Sequence, residues 1–361
     1  MSEQDEPAAT PWRAEAPPPP VPLPFLHGRY DVGPGMTRLA APAPPGSNAG
    51  FFVLGPDARA YLGEKLRVLR ASAEAHRGAV PDADADAVGR VLWATLLALS
   101  AEHPSWLAAA PGGALAACAL GLRYALRDAA RAGEGVRVQR VADAAPGWEE
   151  AGAGVERWLG EGRGPAQLAD AVALSMQEDW AVVRAGAAAG DDVVEALHVC
   201  FPSHWDPRAK LGDHFAGVHA PVASNAVLLS AHHNIVRAMV GKGPFLRHAW
   251  GIARDARLDH HPEAGGAGAE LHPPPPGAPE PAYLRVERQT TRGFPEWGRA
   301  LFTIRTYVLP LTALARREPA AARALASALR GMDAGERRYK GLAADADALA
   351  RWLDAAAGAP A

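Results

Sequence analysis

Cysteine is nearly absent. Two residues in 361, Cys118 and Cys200, supply neither a disulfide framework nor an iron–sulfur ligand cluster. Both sit in apolar runs, which predicts buried free thiols. Long hydrophobic runs are lacking as well. The longest, Val91 to Ala101 and Gly113 to Leu122, are too short to cross a bilayer. Neither charge sign dominates: 37 Lys and Arg against 40 Asp and Glu give a net charge of −3. The charges are interspersed, so no basic footprint for nucleic acid is expected, and pairs such as Arg316–Arg317 read as solvated faces. No glycine-rich dinucleotide fingerprint occurs. The opening MSEQDEPAAT is acidic and carries no signal-peptide pattern. These absences point to a cytoplasmic protein that uses neither membrane nor nucleic acid.

Apolar residues are abundant, at 48%, ample for one large domain or two ordinary ones. Alanine fits core and surface alike, which blurs helix assignment. Residues 1–22 are Pro-rich, with Pro17 to Pro20 consecutive, and predict a disordered arm. Residues 23–165 read as a mostly helical region. It includes Tyr61 to Arg70, Val88 to Ala101, a helix opened by Pro104, and Ala114 to Ala130, followed by a Gly-rich stretch anchored by Trp148 and Trp158. Residues 311–361 read as closing helices.

Between them, residues 166–310 change period. A strand around SMQEDWAVVRAG and a strand from Val193 to Phe201 form a hairpin. Two helical stretches follow, then strands Phe245 to Arg254, Tyr283 to Thr290 and Leu301 to Val308. A Pro-rich excursion, Leu258 to Pro281, predicts a surface loop. The order, strand, strand, helices, strand, strand, strand, predicts an α+β fold. It suits a PAS-like five-stranded antiparallel sheet with covering helices, plus N-terminal and C-terminal helical additions.

The most informative stretch is HVCFPSHWDPRAKLGDHFAGVHAPV, His198 to Val222. Asp206 suits a helix N-cap and Pro207 the first helical position. A helix from there to Pro221 puts Leu211, Phe215 and His219 on one face, at i, i+4 and i+8. An imidazole aimed inward from that face can bind iron through one nitrogen while a carbonyl or carboxylate holds the other. It can equally be a hydrogen-bonded core histidine. His214, His204 and Cys200 are rival ligands. The pairs His232/His233 and His260/His261 lack metal-like spacing and read as surface residues.

A second stretch, YLRVERQTTRGFP from Tyr283 to Pro295, places Tyr283, Arg285, Glu287 and Gln289 on one face of a strand and Leu284, Val286 and Arg288 on the other. Glu287 is either a distal acid or base, or the partner of Arg305 in a cross-strand ion pair.

These two stretches, with QEDWAVV from Gln177 and RYKGL from Arg338, resemble the haem-dependent oxidative N-demethylase family over roughly residues 24–345. The resemblance implies a monooxygenase subunit that uses haem b and O2 to demethylate a small, dimethylamine-like secondary amine. Electrons would come from a separate reductase, with flavin and iron–sulfur groups only on such partner proteins. It implies His219 as the iron ligand, with Phe215 and Trp250 against the cofactor, Glu287 as the catalytic proton carrier, and Lys210, Arg247, Arg288 and Arg305 as propionate partners. Two positions depart from the family pattern: Ala223 replaces a proline, and Ala249 replaces an asparagine before Trp250. A changed amine or lost activity follows if that asparagine touches substrate. A non-catalytic haem-binding sensor or scaffold, or a module with an empty apolar cleft, are the alternatives from other functional classes.

Overall fold

The computed structural model describes residues 21–31, 35–39, 50–162, 164–188, 190–263 and 282–358. The Pro-rich run Pro17 to Pro20 and most of the excursion containing Pro273 to Pro276 lie outside them.

A short strand β1 (Thr37–Arg38) precedes helix α1 (Ala58–His76), strand β2 (Arg77–Ala79) and helix α2 (Ala85–Glu102). Asp84 caps α2 by accepting from the Asp86 and Ala87 amides, which satisfies donors a helix start leaves unpaired. The stretch expected to continue as helices instead forms a meander: β3 (Leu107–Ala110), β4 (Ala114–Ala117), β5 (Leu122–Leu126) and β6 (Val136–Arg140). Gly112 and Gly121 take φ of 74° and 67°, left-handed turns that send the chain back on itself where a helix would run on. Helices α3 (Glu149–Glu161) and α4 (Gly164–Ala173) close this part.

Strands β7 (Asp179–Arg184) and β8 (Val193–His198) then form the expected hairpin. Helices α5 (Phe215–His219), α6 (Ala226–Ser230) and α7 (His232–Gly241) follow, then β9 (Phe245–Ala253), β10 (Tyr283–Phe294) and β11 (Arg299–Pro310), and finally α8 (Leu311–Arg317), α9 (Pro319–Gly331), α10 (Ala334–Tyr339) and α11 (Ala346–Gly358). The fold is mixed α and β. Among the described residues it has two antiparallel sheets, one in the order β1-β9-β10-β11-β7-β8-β2 and one in the order β3-β4-β5-β6. All five expected strands sit side by side in the larger sheet, flanked by two more, so that sheet is wider than the five strands foreseen.

Register decides what each sheet face carries. Glu287 pairs with Ala249 and Thr306, and Arg288 pairs with His248 and Arg305. One face therefore presents Arg247, Ala249, Gly251, Glu287, Gln289 and Thr306, and the other presents Trp250, Val286, Arg288, Arg305 and Tyr307. Phe215 and Met239 pack with Val183, Ala300 and Phe302 on the first face, so α5 and α7 cover the Glu287 side. A Cβ on Gly293 would lie 1.9 Å from the Val240 carbonyl, so only glycine lets the end of α7 come this close to β10. On the second face, Trp250, Leu284, Val286 and Tyr307 share a core with α8, α9 and α11.

The QED run holds the entry loop to the sheet. Gln177 Oε1 accepts from the Gly55 amide at 2.6 Å and Glu178 Oε1 from the Val53 amide at 2.8 Å. Fully buried Lys65 donates to the carbonyls of Ala173, Met176 and Glu178 and lies 3.4 Å from Asp179. Cys200 is buried, and burial pushes its thiol well above the usual range, but Cys118 is exposed rather than buried.

Candidate functional site

The His198–Val222 stretch folds less regularly than its spacing suggests. Asp206 Oδ1 accepts from the Arg208 amide at 2.8 Å, but the helical turn that follows is only Arg208–Lys210, with Pro207 at its N-cap. Gly212, at φ 79°, breaks the chain before α5 begins. His214 is the N-cap of α5, its ring accepting from the Gly217 amide. Leu211 thus lies outside the helix, while Phe215 and His219 occupy its first and last positions.

His219 is half-buried, and its ring stacks on Phe215 with centroids 4.1 Å apart. Nδ1 lies 2.7 Å from the Phe215 carbonyl. A carbonyl can only accept, so Nδ1 carries the proton and Nε2 keeps its lone pair. Burial holds the ring's pKa down to about 4; the Phe215 carbonyl opposes this, and the charges of Arg247 and Lys210 add to it. Near neutral pH His219 is therefore an uncharged imidazole with one nitrogen fixed and the other open, the state a metal ligand needs.

Around it the first sheet face is polar. Lys210 Nζ reaches the Val218 carbonyl at 3.5 Å. Gln289 Nε2 donates to Glu287 Oε2 at 2.9 Å. Arg247 Nε, Gln289 Oε1 and Thr306 Oγ1 are buried without a hydrogen-bond partner among the described residues. Buried polar atoms are rarely left so, and Arg285 Nε and Thr291 Oγ1 on the same face are in the same state.

Lys340, from the RYKGL run, lies on this face too. Its Nζ would be 3.9 Å from a Cβ at Gly251, and it sits over the rings of Tyr339 at 5.3 Å and Tyr30 at 5.7 Å. Burial lowers its ammonium below the usual range, with Glu287 opposing and Arg247 adding. The sequence motif singled out this run but gave no sign of where it would lie.

The seven sequence candidates divide between the faces. His219, Phe215 and Lys210 lie together, and Glu287 is on the sheet face that α5 covers. Arg288, Arg305 and Trp250 lie on the opposite face. Arg288 holds the carbonyls of Gly50 and Phe51. Arg305 pairs with Asp57 at 3.2 Å and stacks over Tyr61 at 3.8 Å, so the alternative pairing of Glu287 with Arg305 does not form. Trp250 packs edge-on against Phe25 and Tyr30. Of the four cations considered, Lys210 and Arg247 are the two beside His219.

The rival ligands are committed elsewhere. His204 stacks on His260 at 4.6 Å. His260 and His261, expected at the surface, are 4% exposed, because Arg285 ties their segment to the end of β8 through the carbonyls of Leu258 and Phe201. Among the described residues no group of three His, Cys, Asp or Glu could hold a metal ion. No helix among them is long and apolar enough to cross a membrane.

A stability prediction follows from the buried rings. His248, like His219, is held by burial to about 4. The unfolded chain takes up these protons near 6.5. Between pH 6.5 and 4 it therefore binds more protons than the fold, and stability falls as pH falls through that window. The urea midpoint of the haem-free protein should drop from pH 7 to pH 5, less steeply in His248→Gln. A midpoint that holds or rises contradicts the burial described.

Residues 154–350 match the family described as haem-dependent oxidative N-demethylase, alpha subunit-like.

Proposed function

The chain belongs to the haem-dependent oxidative N-demethylase alpha-subunit-like family, and on that premise we propose that it binds haem b through His219 and demethylates a small secondary amine. The observation that carries this is the hydrogen bond from His219 Nδ1 to the Phe215 carbonyl, which leaves Nε2 as the donor atom for iron.

The residues present fit the group. Haem needs an uncharged imidazole, an apolar surface against the macrocycle, and cations for two propionates. His219 supplies the first. Phe215 of the covering helix and Phe302 on the sheet, which pack in one cluster, supply the second. Lys210 and Arg247, whose charges reach His219, supply the third. The five central strands with α5–α7 inserted after the second suit the PAS-like reading, with β1 and β2 as added edges.

When bound, haem supplies the dioxygen chemistry that oxidises a methyl group on nitrogen. The overall change takes one secondary amine, one dioxygen, two electrons and two protons to a primary amine, formaldehyde and water. The chain's own part is to position the amine and manage its protons. Glu287 projects from β10 on the covered face, with Oε2 fixed by Gln289. Among the described residues Oε1 has no hydrogen-bond partner, and there it accepts the proton that a secondary ammonium must lose before its nitrogen lone pair is free. The family's description as an alpha subunit supports a complex in which a separate, flavin- or iron–sulfur-bearing reductase delivers the electrons.

The test is a titration of the purified chain with haemin, followed by turnover with dimethylammonium, oxygen and an electron donor. One Soret-absorbing haem per chain and formaldehyde release are expected. A bound haem without formaldehyde supports the sensor alternative, and no bound haem overturns both.

A further inference from the structure

We propose that the amine this chain accepts is zwitterionic, an N-methylated α-amino acid whose ammonium meets Glu287 and whose carboxylate meets Lys340. The inference rests on the haem-dependent demethylase reading above and names its substrate class.

Ala249 stands directly opposite Glu287, and Gly251 is the next position on the same face of β9. Two of the smallest side chains therefore stand beside Glu287, while the other carboxylate placed on this face by register, Asp179, is taken up by Lys65 and the Phe201 amide. Lys340 lies over Gly251, so the carboxylate and the ammonium stand at the two ends of this pair of small residues.

Spacing then sets the ligand. Positions diagonal across an antiparallel pair, such as Glu287 and Gly251, lie about 7–8 Å apart. A charge-assisted hydrogen bond of about 2.8 Å at each end leaves roughly 1.5–2.5 Å along that line, too little for a ligand whose two charged groups are far apart. An α-amino acid, with both groups on one carbon, is the shortest ligand that carries them. Dimethylammonium would satisfy Glu287 and leave Lys340 without an anion.

Charge supports the same assignment. Among the described residues, Lys340 has no carboxylate within ion-pair reach, and the charge of Glu287 acts on it only at longer range. The rings of Tyr30 and Tyr339 lie within cation–π range of Nζ and hold the ammonium over the cleft. A half-buried cation fixed in this way is paired by a ligand anion at little cost in side-chain ordering. Arg247, on the far side of Ala249, is left for the haem propionates with Lys210.

The experiment is calorimetric titration of the haem-loaded full chain with N-methylglycine and with dimethylammonium. N-methylglycine is expected to bind about tenfold or more tightly, the scale of one added charge-assisted hydrogen bond. Lys340→Met should bring the ratio of the two affinities close to one, and Lys340→Arg should restore part of the difference. Equal affinities in the wild type overturn the inference. So does a Lys340→Met protein that keeps the preference, or one that loses haem instead, which would make Lys340 a propionate partner. A wild type that takes up no haem overturns the underlying reading, a result the Soret band shows before any amine is added.

Discussion

Glu287→Gln lowers formaldehyde release about 10²–10⁴-fold, the usual scale for removing a positioned proton-transfer group. The amide is nearly isosteric and keeps the contact with Gln289, so the loss reports proton chemistry and not packing. The strand register that pairs Glu287 with Ala249 and Thr306 puts the side chain under the helical cover. On that face no arginine is committed to it as an ion-pair partner. Haem content measured on the same samples separates lost chemistry from lost cofactor. Turnover within about threefold of the wild type, at equal haem content, would remove Glu287 from the mechanism; the remaining polar groups of the face, Gln289 and Thr306, would then be the next to examine.

Lys65→Met costs about 3–5 kcal/mol of stability, the range for breaking a fully buried ion pair. Lys65 is 0% exposed and its ammonium joins three backbone carbonyls to Asp179. Asp179 Oδ2 in turn accepts from the Phe201 amide at 2.7 Å, the residue at which the chain leaves β8 for the His219 segment. Removing the cation leaves a buried carboxylate and several carbonyls facing hydrocarbon, each with a desolvation cost. Urea denaturation measures the loss. Asp179→Asn on the Lys65→Met background should cost less than on the wild type, because the charge it removes is then unpaired. A loss below about 1 kcal/mol in Lys65→Met would show that the cluster does not hold the sheet to α1.

Much of the sheet is legible from alternation. Tyr283 to Gln289 alternates in the sequence as it does on β10, and the β7–β8 hairpin and the β10–β11 hairpin form where their residues predict. The parity between strands is not legible. Whether Arg305 faces Glu287 or its neighbour depends on a one-residue register, and the turn at Pro295–Trp297 settles it in favour of Thr306. That single step moved Arg305 away from the site, whereas Arg288 already lay on the face opposite Glu287 by alternation along β10. Leu107 to Leu126 forms strands where its composition suggests helix for another reason. Alanine has little to distinguish a strand from a helix, and only the left-handed glycines mark the turns. Lys340 could not have been placed at all, because nothing local to RYKGL says which sheet face it will cover. His219 is half-buried against Phe215, and the helix carrying it, Phe215–His219, is shorter than its spacing implies.

The most direct measurement is the Soret spectrum of His219→Gly after haemin titration, with and without added imidazole. Loss of the wild-type band, and its return when free imidazole fills the vacated space, is the expected result. A band unchanged in His219→Gly would show that iron is held by another side chain.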